Sequence, residues 1–226
     1  MHILLTDILT CPRCGPEFGL ILLADRIEER RVLDGRLGCA NCREQYPVRG
    51  GEVDLRLPGA APAPAAAGAE GSAASGDGGQ EAAVRLAALL GLADAQGKVL
   101  LAGPGAALAE AVAALVPEVE VIALAPEPGD AGERPGVTRM AGATAPLPFR
   151  ARTLRGVALT GGADAAALAE GVRVLQPGAR LVVDGAAPGT AEALSALGAQ
   201  VMLDQEGTLV ARAVGDPVQL RMNAVR

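Results

Sequence analysis

GKVLLAGPGAALAEAVAALVPEVEVIALA, residues 97–125, reads as strand, glycine turn, helix and strand in succession. KVLLA (98–102) is a short unbroken apolar run that suits a strand buried on both faces. It runs into Gly103-Pro104-Gly105, and AALAEAVAALV (106–116) then carries apolar residues at helical spacing up to Pro117. VEVIALA (119–125) is a second buried strand. Two such strands joined by a helix must lie parallel, because a helical crossover returns the chain to the same end of the sheet.

The alternation continues outward from this unit. EAAVRLAALLG (81–91) is a preceding helix closed by Gly91, and GVTRM (136–140) and LRGVALT (154–160) are further strands. ADAAALAEGVRVL (163–175) is a helix ended by Gln176-Pro177-Gly178, and ARLVVDG (179–185) is a fifth strand. TAEALSALG (190–198) is a helix, and AQVMLDQEG and TLVARAV form a hairpin turning at Glu206-Gly207. The expectation is an α/β fold: a Rossmann-like, mainly parallel seven-stranded sheet with a closing antiparallel hairpin over residues 81–213.

Texture divides the rest of the 226-residue chain. Residues 1–57 hold all four cysteines, the only His and the only Tyr. Residues 58–80, PGAAPAPAAAGAEGSAASGDGGQ, offer no apolar face and read as a flexible linker. The tail, residues 214–226, is polar. Half the residues are apolar, but with two Phe and no Trp the core must be built from small side chains. The net charge of −6 argues against a nucleic-acid footprint. In the first half Arg13, Arg43 and Arg49 are offset by Glu44, Glu52 and Asp54. MHILLTDILTCPRC is no secretory signal, and no run has the length of a membrane span, so a cytoplasmic location is expected.

Cys11, Cys14, Cys39 and Cys42 form two C-x2-C pairs separated by 24 residues. Each pair sets two sulfurs on one tight turn, and two such turns complete a tetrahedron. In a reducing compartment this spacing favours one structural zinc; two redox pairs are the alternative. Four thiolates leave no open position for a catalytic metal. A module under 60 residues needs such a staple, having too little core of its own. His2 is expected at the surface.

LTDILTCPRCG followed by LGCANCREQYPVRGGEVDLR resembles the short zinc-ribbon family that activates tRNA, ribosomal and release-factor methyltransferases. Leu5, Ile8, Leu9, the four cysteines, Tyr46, Pro47, Val48, Gly50 and Gly51 match its pattern. The resemblance implies a small β-rich zinc ribbon over residues 1–57 and a protein partner: a methyltransferase, or the second domain of this chain. Tyr46 and Pro47 are expected mainly to start a strand.

VLLAGPGAA (99–107), AGATAPLPF (141–149) and RVLQPGARLVV (173–183) together resemble class I S-adenosylmethionine-dependent methyltransferases. That family places an acid at the end of each of the first two strands and another after the third. Here those places hold Leu101, Ala125 and Ala143, and Ala107 replaces the third loop glycine. A hydrogen bond to a charged group is worth roughly 1.5–3 kcal/mol, so two uncompensated losses weaken binding by about 10²- to 10⁴-fold. Gly103, Gly105, Glu127 and Asp184 are the remaining candidates for the cofactor, Phe149 is a core residue or the aromatic that stacks on adenine, and no catalytic residue is assigned. Asp164 and Glu170 are expected to be solvated helix residues. The leading expectation is a non-catalytic binding, activating or scaffolding protein that has lost its cofactor site. The alternatives are an active methyltransferase with a divergent pocket and, through GPGAALA (103–109), a dinucleotide-binding domain.

Overall fold

A computed structural model describes residues 1–57, 77–93, 95–128, 132 and 134–215. The expected linker, but for its last four residues, and nearly all of the expected tail lie outside these. The first five strands are β1 (Thr10–Cys11), β2 (Gly15–Glu28), β3 (Arg31–Cys39), β4 (Gln45–Arg49) and β5 (Glu52–Asp54). After α1 (Asp77–Leu90) come β6 (Gly97–Ala102), α2 (Ala109–Leu115), β7 (Val119–Ala125), β8 (Val137–Ala141) and β9 (Leu154–Thr160). α3 (Ala165–Val174), β10 (Leu175–Asp184), α4 (Thr190–Ala196), β11 (Ala199–Gln205) and β12 (Thr208–Ala213) complete the described elements.

The α/β order follows the sequence pattern, but the expected seven-stranded sheet is part of a larger one. All twelve strands form one sheet in the order β1-β2-β3-β4-β5-β8-β7-β6-β9-β10-β12-β11. The join is β5 on β8, parallel, with Val53 opposite Met140 and Asp54 opposite Ala141. Without β5, the N–H and C=O groups on the outer side of β8 would face no strand, a standing invitation to other chains. Two local readings also change. Residues 77–80, placed in the linker, are the first turn of α1. The helix expected from Ala106 opens as a 3-10 turn over Gly103–Leu108 before α2 begins at Ala109. Gly103 sits at φ +79, and Pro104, which has no N–H, occupies the start of that turn.

Strand alternation sends side chains to two cores. On one face Val99, Leu101 and Val121 pack in a cluster with Leu86, Leu90 and Val112 from α1 and α2. On the other face Leu100, Ile122 and Leu124 belong to a cluster that takes in Leu168 and Leu194 of α3 and α4. That same cluster continues without a break into Met1, Leu5, Leu9, Leu37 and Tyr46 of the first half. Among the described residues no helix joins β8 to β9. Leu9 instead forms an antiparallel bridge with Phe149. Thr10 N–H donates to Pro148 O at 2.9 Å, and Arg150 N–H donates to Ile8 O at 2.8 Å. Phe149 is fully buried in this shared cluster and is a core residue.

A buried ion pair ties the halves together beyond the edge strand. Arg31 of β3 reaches past β8 to Glu120 of β7, donating through Nη1 to both carboxylate oxygens at 2.9 and 3.0 Å. Its Nη2 donates to the Val137 and Arg134 carbonyls. The side chains are only 8% and 13% exposed, so neither charge has water as a ready substitute. Thr138 Oγ1 donates to Glu120 at 2.5 Å and accepts from the His2 N–H at 3.0 Å. His2 is thus half-buried at this seam and not a free surface residue, and burial lowers its pKa.

Removing one partner of a buried pair strands the other charge. Arg31→Ala is expected to cost about 3–5 kcal/mol in urea unfolding of the whole chain. The double change Arg31→Met with Glu120→Met should recover much of that loss, because neither charge is then left unpaired.

Candidate functional site

The four cysteines come together where the first and third strands end. β1 and β3 carry Cys11 and Cys39, and the turns that follow them carry Cys14 and Cys42. Gly15, at φ +90, and Arg43, at φ +63, let each turn reverse directly after its second cysteine. All four sulfurs lie within 4.8 Å of one another. Cys11 and Cys42 are 3.7 Å apart, and Cys14 and Cys39 are 3.8 Å apart. Disulfides are far shorter, at about 2.05 Å. A tetrahedron with zinc–sulfur bonds of about 2.3 Å has edges of about 3.8 Å. The donor set therefore fits a tetrahedral thiophilic ion.

In the absence of a metal the surroundings favour the thiolate at Cys39 and disfavour it at Cys11, chiefly by burial. They also disfavour it at Cys42, where the Glu44 N–H is outweighed by burial and the neighbouring Cys14 and Cys39 thiols. Burial pushes Cys39 up, but the N–H groups of Cys42 and Asn41 and the neighbouring thiols outweigh it, leaving its pKa at about 7. The Tyr46 hydroxyl lies 3.4 Å from Cys11 Sγ, and Asn41 Nδ2 donates to Cys14 Sγ at 3.3 Å. Tyr46 is buried on β4. Its contact with the cluster was not legible from the strand reading, although the chain's single Tyr four residues after Cys42 was a signal. Arg13 is paired with Glu44 at 3.1 Å.

At the carboxyl ends of the parallel strands, where α/β folds place ligands, two concavities lie side by side. One, of about 190 Å³, is lined by Gly103, Thr144, Thr160, Gly162 and Asp164 among others. The other, of about 210 Å³, is lined by Ala125, Glu127, Glu110, Arg139 and by Glu52 of the first half. Ligand pockets for molecules of cofactor size run from roughly 300 to 1,000 Å³.

The sequence-predicted residues are not gathered into one site. Gly103 lines the first concavity and Glu127 the second. Glu127 is ion-paired with Arg56, which also holds Asp54 at 2.9 Å. The Arg56 hydrogen bond lowers the pKa of Asp54, against its partial burial. Asp184 is exposed and accepts from Thr208 Oγ1 at 3.3 Å. Leu101 is fully buried in the α1–α2 core, and Ala143 is exposed.

The two loop glycines serve a close protein–protein approach. Thr160 Oγ1 accepts from Gly105 N–H at 2.6 Å and donates to Ala102 O at 2.8 Å. A Cβ on Gly103 would stand 2.2 Å from Thr160 O, and one on Gly105 would stand 2.7 Å from Thr160 Cγ2. The glycine turn is thus clasped against the end of β9. Two helix acids also have structural duties: Asp164 is exposed, as expected, while Glu170 is only partly so. Asp164 caps α3 by accepting from Ala167 N–H at 2.8 Å. Glu170 accepts from Leu147 N–H at 2.7 Å and is paired with Arg173, which donates to the Phe149 and Leu147 carbonyls.

No family model matches this sequence, and no curated protein matches it. Solved structures similar in chain path include the antibiotic-resistance methyltransferase Kmr, at 16% identity over 59% of this chain and 93% of that one, TM-score 0.44. Another is the 1,6-didemethyltoxoflavin-N1-methyltransferase of Burkholderia thailandensis, at 19% identity over 65% of this chain and 80% of that one, TM-score 0.46. A third is a methyltransferase in complex with the Trm112 methyltransferase activator of Haloferax volcanii, at 16% identity over 62% of this chain and 95% of that one, TM-score 0.45. Among the described residues no helix is long and apolar enough to cross a membrane.

Thr160→Val removes both hydroxyl bonds and keeps the shape. It should leave Gly105 N–H and Ala102 O without that partner and cost about 1–3 kcal/mol in chemical denaturation. The Cys39 pKa falls from 9.0 to about 7 on folding. In the metal-free chain its contribution to stability is therefore full above pH 9.0 and is lost as pH falls through about 7. Ultraviolet thiolate absorbance under reducing conditions should show one thiol titrating near that lower value.

Proposed function

We propose that this chain is a zinc-ribbon protein whose ribbon braces a methyltransferase-like α/β half of the same chain. Its work is binding and scaffolding rather than methyl transfer. One structural zinc sits on Cys11, Cys14, Cys39 and Cys42; the sulfur spacing of a tetrahedral thiolate site supports it. Held there, zinc supplies a covalent staple between the two turns and no open coordination position for a substrate. Residues 1–57 and 81–213 are the two functional halves, and the protein acts in the cytoplasm.

The observation that carries the non-catalytic reading is the clasped glycine turn. Gly105 N–H, a backbone donor of the kind such loops offer to a cofactor, is already taken by Thr160. The strand ends that would hold acids carry Leu101, Ala125 and Ala143, and Glu127 is engaged by Arg56. The ribbon's last strand is likewise engaged, on β8 of its own chain. It acts as a brace in cis, and any further protein partner, a methyltransferase among them, binds a surface away from that seam.

One observation favours an active S-adenosylmethionine-dependent methyltransferase instead. The 190 Å³ concavity lies at the carboxyl ends of β6 and β9 and has Gly103 and Asp164 in its wall. Calorimetric titration of the zinc-loaded protein with S-adenosylmethionine and S-adenosylhomocysteine separates the two. The expected result is no binding up to millimolar ligand. Micromolar binding would replace the scaffold reading with the enzyme and make Glu127 and Asp184 the first residues to substitute.

A further inference from the structure

The structure assigns to Tyr46 and Asn41 the task of holding the ion-binding sulfurs: each donates a hydrogen bond to one thiolate, Tyr46 to Cys11 from the core side and Asn41 to Cys14 from the solvent side. The inference rests on the zinc reading of the cysteine cluster and names residues that the cysteine spacing does not.

Tyr46 is 1% exposed, in a strand where Leu37 of β3 is its opposite neighbour. A buried phenol hydroxyl must find a polar partner, and here the Cys11 sulfur stands 3.4 Å away. A metal-bound Cys11 thiolate has no proton to give, so in this contact the phenol hydroxyl is the donor. Asn41 lies inside the second C-x2-C turn, and its Nδ2 bonds Cys14 at 3.3 Å, across to the first turn. The amide therefore links the two cysteine turns by a side-chain bond as well as through the ion. Four thiolates around a dication carry surplus negative charge, and N–H and O–H donors disperse it. Partners of this kind orient metal ligands, and their loss typically costs about 10- to 100-fold in metal affinity.

Tyr46 also has a packing role, being part of the cluster that runs into the α/β half. Tyr46→Phe keeps the ring and removes only the donor. Full-length wild type, Tyr46→Phe and Asn41→Ala are titrated with cobalt(II), and zinc affinity is read by competition with a chromophoric chelator. For Tyr46→Phe the expected result is zinc binding weaker by about 10- to 100-fold. The sulfur-to-cobalt charge-transfer band should move to lower energy, because a sulfur without its donor gives up an electron more easily. Asn41→Ala should shift both in the same direction by less, since water can replace the exposed amide. Wild-type affinity and an unshifted band in both variants would overturn the inference and leave Tyr46 a packing residue. A wild-type chain that gives no four-sulfur cobalt spectrum would overturn the metal reading itself, a distinct result.

Discussion

Three residues of β5 laid against β8 convert a small sheet and a large one into a single surface. The contact is parallel and short, and on its own it would be weak. It holds because the chain has arranged a shared core behind it. Leu5 and Leu9 lie in the same apolar cluster as Leu100, Ile122 and Phe149. Arg31 crosses from β3 to bind Glu120, two strands into the α/β sheet. A buried ion pair is seldom a source of net stability against an apolar substitute. The pair does carry direction: the guanidinium meets the Glu120 carboxylate and the Val137 and Arg134 carbonyls at once.

This arrangement bears on what the cysteine cluster does. The cluster fastens the end of β1 to the end of β3, and Leu9, two residues before Cys11, bridges to Phe149 of the other half. Loosening the two cysteine turns would therefore free a segment that the α/β core needs. An ion at this site would stabilise the whole chain by binding its folded form alone.

Beside the seam, the ends of the parallel strands are occupied by the protein's own groups. Thr160 takes Gly105, Arg56 takes Glu127, Thr208 bonds Asp184, and Glu170 with Arg173 grips the 147–149 segment. These bonds hold the strand ends to one another and, through Arg56 and Glu127, to the first half of the chain. The glycines at 103 and 105 keep their value in such a site, since any side chain there would collide with Thr160.

Much was legible in the sequence alone. The apolar runs at 98–102, 119–125, 154–160 and 179–185 and the helical spacing between them fixed a parallel α/β sheet, because burial on both faces leaves that signature in local order. The cysteine spacing announced a four-sulfur cluster for the same reason: both pairs are short local turns. The Leu101, Ala125 and Ala143 replacements were visible as letters. What only the tertiary structure decided was every partnership between distant residues. β5 could have ended a free ribbon; its pairing with β8 brings into register residues 87 positions apart, Val53 with Met140 and Asp54 with Ala141. Nothing in the local sequence pairs Arg31 with Glu120, or Glu170 with the Leu147 N–H. Tyr46 does stand at the start of a strand, as its surroundings in sequence suggest, but the contact of its hydroxyl with Cys11 is a tertiary one. Local pattern records which face of an element is buried, but the identity of what lies against that face is set by packing over the whole chain.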